Sequence, residues 1–95
     1  MEAVRRLVLK REKKFYGCLV DYAVMIDDDI AGYIRNGETK TFELDYKKHI
    51  VHIVIQRDGI WTSKKYEIGE GSEDYQFNII KITRWTSIII ELERF

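Results

Sequence analysis

Apolar and polar residues alternate with a period of two along most of this 95-residue chain, and that alternation predicts β-strands. In the clearest segment Val20, Tyr22, Val24 and Ile26 share one face, while Leu19, Asp21, Ala23, Met25 and Asp27 share the other. An acidic turn, Asp27-Asp28-Asp29, leads into a strand from Ile30 to Arg35. After Asn36-Gly37 the alternation resumes through Phe42 and Leu44. Asn-Gly is the dipeptide best suited to a type I′ hairpin, in which both central residues need φ > 0. Val24 to Leu44 therefore reads as a three-strand meander. Ile50 to Ile55 is apolar on both faces apart from His52, which marks a central strand. Asp58-Gly59 predicts a second tight hairpin into a strand from Ile60 to Ile68. A polar loop, Gly69 to Asp74, then precedes Tyr75 to Thr83, and a last strand runs roughly from Trp85 to Glu93.

Residues 3–15 fit two patterns. Ala3, Val4, Leu7, Val8, Arg11 and Phe15 have helical spacing, with Gly17 as a possible cap, whereas Leu7 and Leu9 fit a strand. The strand is preferred, since no capping residue precedes the segment and every later one is β. The whole chain then reads as one domain over residues 1–95, all-β, a small antiparallel Ig-like sandwich of about seven or eight strands. Proline is absent, so the turns must rest on Gly, Asn and Asp.

Composition narrows the function classes. Apolar residues make up 45%, which is enough for a packed core. Sixteen basic residues balance sixteen acidic ones, which argues against nucleic acid, because phosphate binding needs a net basic face. A single cysteine, Cys18, rules out an internal disulfide and favours a cytoplasmic setting. The longest aliphatic run, Ile88-Ile89-Ile90, is far short of the ~20 residues that cross a bilayer.

The block Val24-Met25-Ile26-Asp27 through Ala31-Gly32-Tyr33-Ile34-Arg35-Asn36-Gly37-Glu38, with Lys48-His49-Ile50-Val51 downstream, resembles small bacterial β-sandwich proteins of uncharacterised function. More distantly, it is similar to the PEGA-type domains of bacterial surface and signalling proteins. Asp28 stands where Gly is common in such turns, and Asp45-Tyr46-Lys47-Lys48 replaces the usual Pro-Gly turn. The resemblance implies an accessory or interaction module and supplies no catalytic residues.

Candidate chemistry is sparse. Asp27-Asp28-Asp29 lacks the alternate spacing of a calcium loop, and an Asx turn accounts for it. His49 and His52 would point to opposite faces of a strand and could not chelate one ion together. Cys18 has no motif pairing it with a base and reads as a small buried hydrophobe. Lys10-Arg11-Glu12-Lys13-Lys14 is the basic cluster, read as a solvated strand end or as charges that blunt an exposed sheet edge. No metal, cofactor or catalytic residue is expected.

Tyr22, Phe42 and Phe77 occupy core positions, whereas Tyr33, Trp61, Tyr75 and Trp85 do not fit the core pattern. Trp61 shares its predicted face with Ser63 and Lys65, and Trp85 shares its own with Ser87, Ile89 and Glu91. Two readings follow. In the first, the chain is a non-catalytic binding module, meeting a protein partner or a second copy through an exposed strand edge or an aromatic face. In the second, Tyr33, Trp61 and Trp85 form a stacking face for a carbohydrate or small ligand. Neither reading needs a membrane or a nucleic acid.

Overall fold

A computed structural model describes residues 3–13, 20–56, 59–83 and 88–94. Among them are nine strands: β1 (Arg5–Arg11), β2 (Tyr22–Ile26), β3 (Asp29–Ile34), β4 (Thr39–Leu44), β5 (His49–Gln56), β6 (Ile60–Thr62), β7 (Tyr66–Ile68), β8 (Tyr75–Thr83) and β9 (Ile88–Arg94). They form two sheets. One has the order β4-β1-β8-β9; the other has the order β3-β2-β5-β6, with β7 also paired to β5. The two sheets pack as a β-sandwich around one cluster of buried apolar residues. Pairing is antiparallel except between β1 and β8, a parallel pair that strand periodicity could not reveal.

The N-terminal segment is a strand, and an interior one. β1 pairs with β4 on one side and β8 on the other, and its inward residues alternate as Arg5, Leu7, Leu9 and Arg11. Leu7 and Leu9 are fully buried, which is worth about 1.5–3 kcal/mol for each side chain. The two arginines are only 2% exposed. Arg11 Nη1 donates to the carbonyls of Val20 (2.7 Å) and Ile34 (2.9 Å), and its guanidinium lies 3.5 Å from the Tyr22 ring centroid. Arg5 donates to the carbonyls of Asp45 (3.1 Å) and Lys47 (2.8 Å). The basic cluster is thus neither edge protection nor wholly solvated. Lys10, Glu12 and Lys13 are exposed, Arg11 closes one end of the core, and Lys14 lies outside the described residues.

Two turns depart from the sequence reading. Asp27 and Asp28 both have positive φ, 54° and 65°, so the type I′ geometry falls on the acidic turn, where β2 and β3 pair directly. At Asn36-Gly37 only Gly37 has positive φ (74°), and Glu38 N–H donates to the Arg35 carbonyl at 3.0 Å. That turn is not a hairpin. It carries the chain from β3 in one sheet to β4 in the other, so no paired strands impose the type I′ twist.

The strand expected from Ile60 to Ile68 is broken into β6 and β7 by a bulge at residues 63–65, which raises the strand count to nine. Ser63 is buried there. Its N–H donates to the Ile53 carbonyl at 2.9 Å, and its Oγ accepts from Ile53 N–H at 2.8 Å. A side-chain oxygen therefore stands in for a ladder carbonyl beside the central strand. Ser63→Ala leaves the Ile53 amide buried without its acceptor. A loss of about 1–3 kcal/mol is expected, read as a lower urea midpoint at unchanged m.

Candidate functional site

The β2–β3 turn, the β4–β5 connection and the start of β5 meet at one end of the sandwich. Asp27 is placed by its positive-φ turn so that its Oδ1 accepts from Ile50 N–H at 2.9 Å and its Oδ2 meets His49 Nδ1. The other ring nitrogen of His49, Nε2, meets Asp45 Oδ1 at 2.7 Å, an oxygen that also accepts from Lys47 N–H. The imidazole is 14% exposed and bridges two carboxylates that are each about half exposed. Burial pushes its pKa down, but the hydrogen bonds and charges of Asp27 and Asp45 outweigh this and hold it above the ordinary 6.5. The Asp27 carboxyl is held low chiefly by His49 and the Ile50 amide, and that of Asp45 by the Lys47 amide and His49. Both ring nitrogens are engaged, so His49 offers no free lone pair as a base. The geometry is that of an ionic clasp between the two connections. An open depression of about 520 Å³ beside it is lined by Ala3, Asp45, Tyr46, Lys47 and Glu70.

The five-stranded sheet has a second apolar side. Register sets Ala23 opposite Tyr33 and Val54, Met25 opposite Ile30 and His52, Val54 opposite Thr62, and Gln56 opposite Ile60. All of these point away from the core, because the alternate residues Val24, Val51, Ile53 and Ile55 fill it. On this outer face Ile30 is 58%, Tyr33 51%, Ile50 37% and Ile60 70% exposed. The outer face of the four-stranded sheet is mixed: Arg6, Lys10, Thr41, Glu43, Gln76, Asn78, Glu91 and Glu93 share it with Val8, Ile80, Ile82 and Ile89, which are only partly exposed. His52 lies in the apolar face, 6% exposed, and its buried Nδ1 has no hydrogen-bond partner. Burial first, then the nearby Lys65 ammonium, keeps its pKa below 6.5, against a smaller opposing pull from Asp28. Lys65 in turn pairs with Asp28 at 3.2 Å.

Tyr33 and Trp61, expected together on one face, are on opposite sides of this sheet. Tyr33 is on the outer face, whereas Trp61 lies opposite Ile55 and packs partly buried against the core. Trp85 lies outside the described residues, as does Cys18. Tyr75 is also packed against the core, with the Arg94 guanidinium 4.0 Å from its ring centroid. His49 and His52 do point to opposite faces of β5. Among the described residues no group of three or more His, Cys, Asp or Glu is arranged to hold a metal ion, and no helix is long and apolar enough to cross a membrane. The clasp was missed in the sequence because Asp27 and Asp45 carry no spacing that pairs them with His49. The outer face was written in the chain, in the two-sided apolar character of Ile50 to Ile55. No family model matches the chain, and no curated protein or solved structure was found to match it.

The two histidines impose opposite pH slopes. The raised pKa of His49 gives stability that is fully present below about 6.5 and lost as pH rises through its folded-state value. The depressed values of Asp27 and Asp45 give stability that is present above about 3.8 and lost as pH falls through their folded-state values. His52 acts the other way from His49, because below 6.5 the unfolded chain takes up a proton that the folded ring refuses. NMR of the two imidazole resonances is expected to show one titrating above 6.5 and one below. Asp27→Asn should bring the upper value down and leave the lower in place. Two superimposed titrations near 6.5 would refute the clasp.

Proposed function

We propose that this chain is a non-catalytic interaction module whose outer face on the five-stranded sheet meets another protein. The observation that carries the reading is that this sheet is apolar on both sides, with Ile30, Tyr33, Ile50 and Ile60 open to solvent. A sheet with one free side ordinarily alternates apolar-in and polar-out, and none of the outward apolar residues of the four-stranded sheet is as exposed as these four. Exposed apolar residues gathered on one sheet face are a feature of surfaces that bind.

The edges of the same sheet are less inviting. Lys40 points inward from β4, opposite Leu9, and its ammonium occupies the Tyr33 carbonyl on β3 at 2.9 Å. The opposite edge is interrupted by the bulge at residues 63–65. Inward-pointing charge and bulges are devices that discourage strand addition, so the face is favoured over an edge. A cytoplasmic setting belongs to the same proposal and is supported by the lone cysteine. The accessory role implied by the sequence resemblance is in keeping with it. The carbohydrate reading loses support, because Trp61 packs against the core and does not share a face with Tyr33.

Capture from source lysate with the intact protein as bait, repeated with Ile60→Lys, tests the reading. One stoichiometric protein held by the parent and lost by the variant is the expected result. Equal capture by both baits, or a glycan-array hit with no protein retained, would overturn it.

A further inference from the structure

Resting on that reading, we infer that the occupant of the outer face is a second copy of this chain, stacked face to face about a two-fold axis. Electrostatics favour like meeting like. Charged side chains beside the face form pairs within the chain, Lys65 with Asp28 and Lys48 with Glu67, each at 3.2 Å. The chain as a whole balances sixteen basic against sixteen acidic residues. A two-fold contact sets each patch against an identical one, so an excess of either sign would repel; here there is none. The same neutrality gives no steering toward a strongly charged partner such as an acidic peptide or a nucleic acid.

Geometry points the same way. Since Lys40 and the bulge obstruct the edges of this sheet, two copies meet by stacking sheets about 10 Å apart, as the two sheets do inside the sandwich. The eight residues of β5 run about 26 Å, and the four strand columns β3-β2-β5-β6 span about 19 Å. Because β2, β3 and β6 are shorter than β5, each copy offers at most about 500 Å², so the pair buries at most about 1,000 Å², at the low end of interface sizes. Such an area gives a reversible, concentration-dependent dimer, with the exposed Ile60 and Tyr33 as its anchors.

Sedimentation velocity from about 10 μM to about 1 mM reads the association directly. The parent chain is expected to shift from monomer to dimer across this range. Ile60→Lys and Tyr33→Lys, folded by circular dichroism, should weaken the dimer about tenfold or more. Thr41→Lys, exposed on the outer face of the other sheet, should leave it unchanged. Dilution-dependent amide shifts should be confined to residues such as Ala23, Met25, Tyr33, Val54 and Ile60. A parent that stays monomeric throughout, or a dimer equally strong in both face variants, overturns the second copy as occupant. Those results leave the capture experiment to decide the broader reading, because capture is read at bait concentrations where a homodimer of this kind is dissociated.

Discussion

Two guanidinium groups at the ends of one interior strand hold the sandwich together. β1 lies between β4 and β8, and Arg5 and Arg11 close its inward row of Leu7 and Leu9. Arg11 grips the chain where it enters β2 and where it leaves β3, through the Val20 and Ile34 carbonyls. Arg5 grips the connection from β4 to β5 through the Asp45 and Lys47 carbonyls. Every one of these contacts crosses from one sheet to the other or to a connection between them. The planar fork of arginine can satisfy several carbonyls at once, and the Tyr22 ring offers a face to the same cation. Lysine at either position would supply a point charge without that reach.

The His49 clasp depends on this arrangement. Arg5 fixes the Asp45 and Lys47 backbone, and the Asp45 carboxylate, tied to the Lys47 amide, then meets His49. On the other side the Asp27 turn delivers the second carboxylate. A chain of main-chain and side-chain bonds thus runs from the first strand to the tip of the β2–β3 hairpin, at the margin of the apolar outer face. Networks of this kind hold a unique geometry when every member is satisfied. The two histidines, three positions apart, sit in opposite electrostatic surroundings because strand alternation sends them to opposite sides of β5.

Much of the architecture was legible in the chain, because period-two alternation is a direct consequence of strand geometry. The departures each have a local cause. Arg11 groups in sequence with charged neighbours, yet its parity with Leu7 and Leu9 places it inward. Trp61 was assigned to a polar face with Ser63, and both turned out to face inward: Ser63 is buried as a ladder acceptor, and Trp61 packs against the core. Asn36-Gly37 predicts a hairpin, but composition cannot tell a turn between paired strands from a corner between sheets. The clasp and the β1–β8 pairing join residues far apart in sequence, and no local pattern encodes such partners. The apolar outer face was implicit in Ile50 to Ile55, but burial by a neighbour and exposure to solvent look alike in a string of letters.

The parallel pairing of β1 with β8 also bears on how the chain comes to be folded. Leu7 waits for Tyr75 and Leu9 for Phe77, so β1 is flanked on both sides only after β8 has been made. During synthesis, Leu7 and Leu9 emerge early and remain without half of their eventual cover. Topology of this kind places folding among the slower small domains, because distant segments must close a large loop before their contacts reward it. A chain in this state has an unpaired strand whose apolar residues are flanked by arginine and lysine.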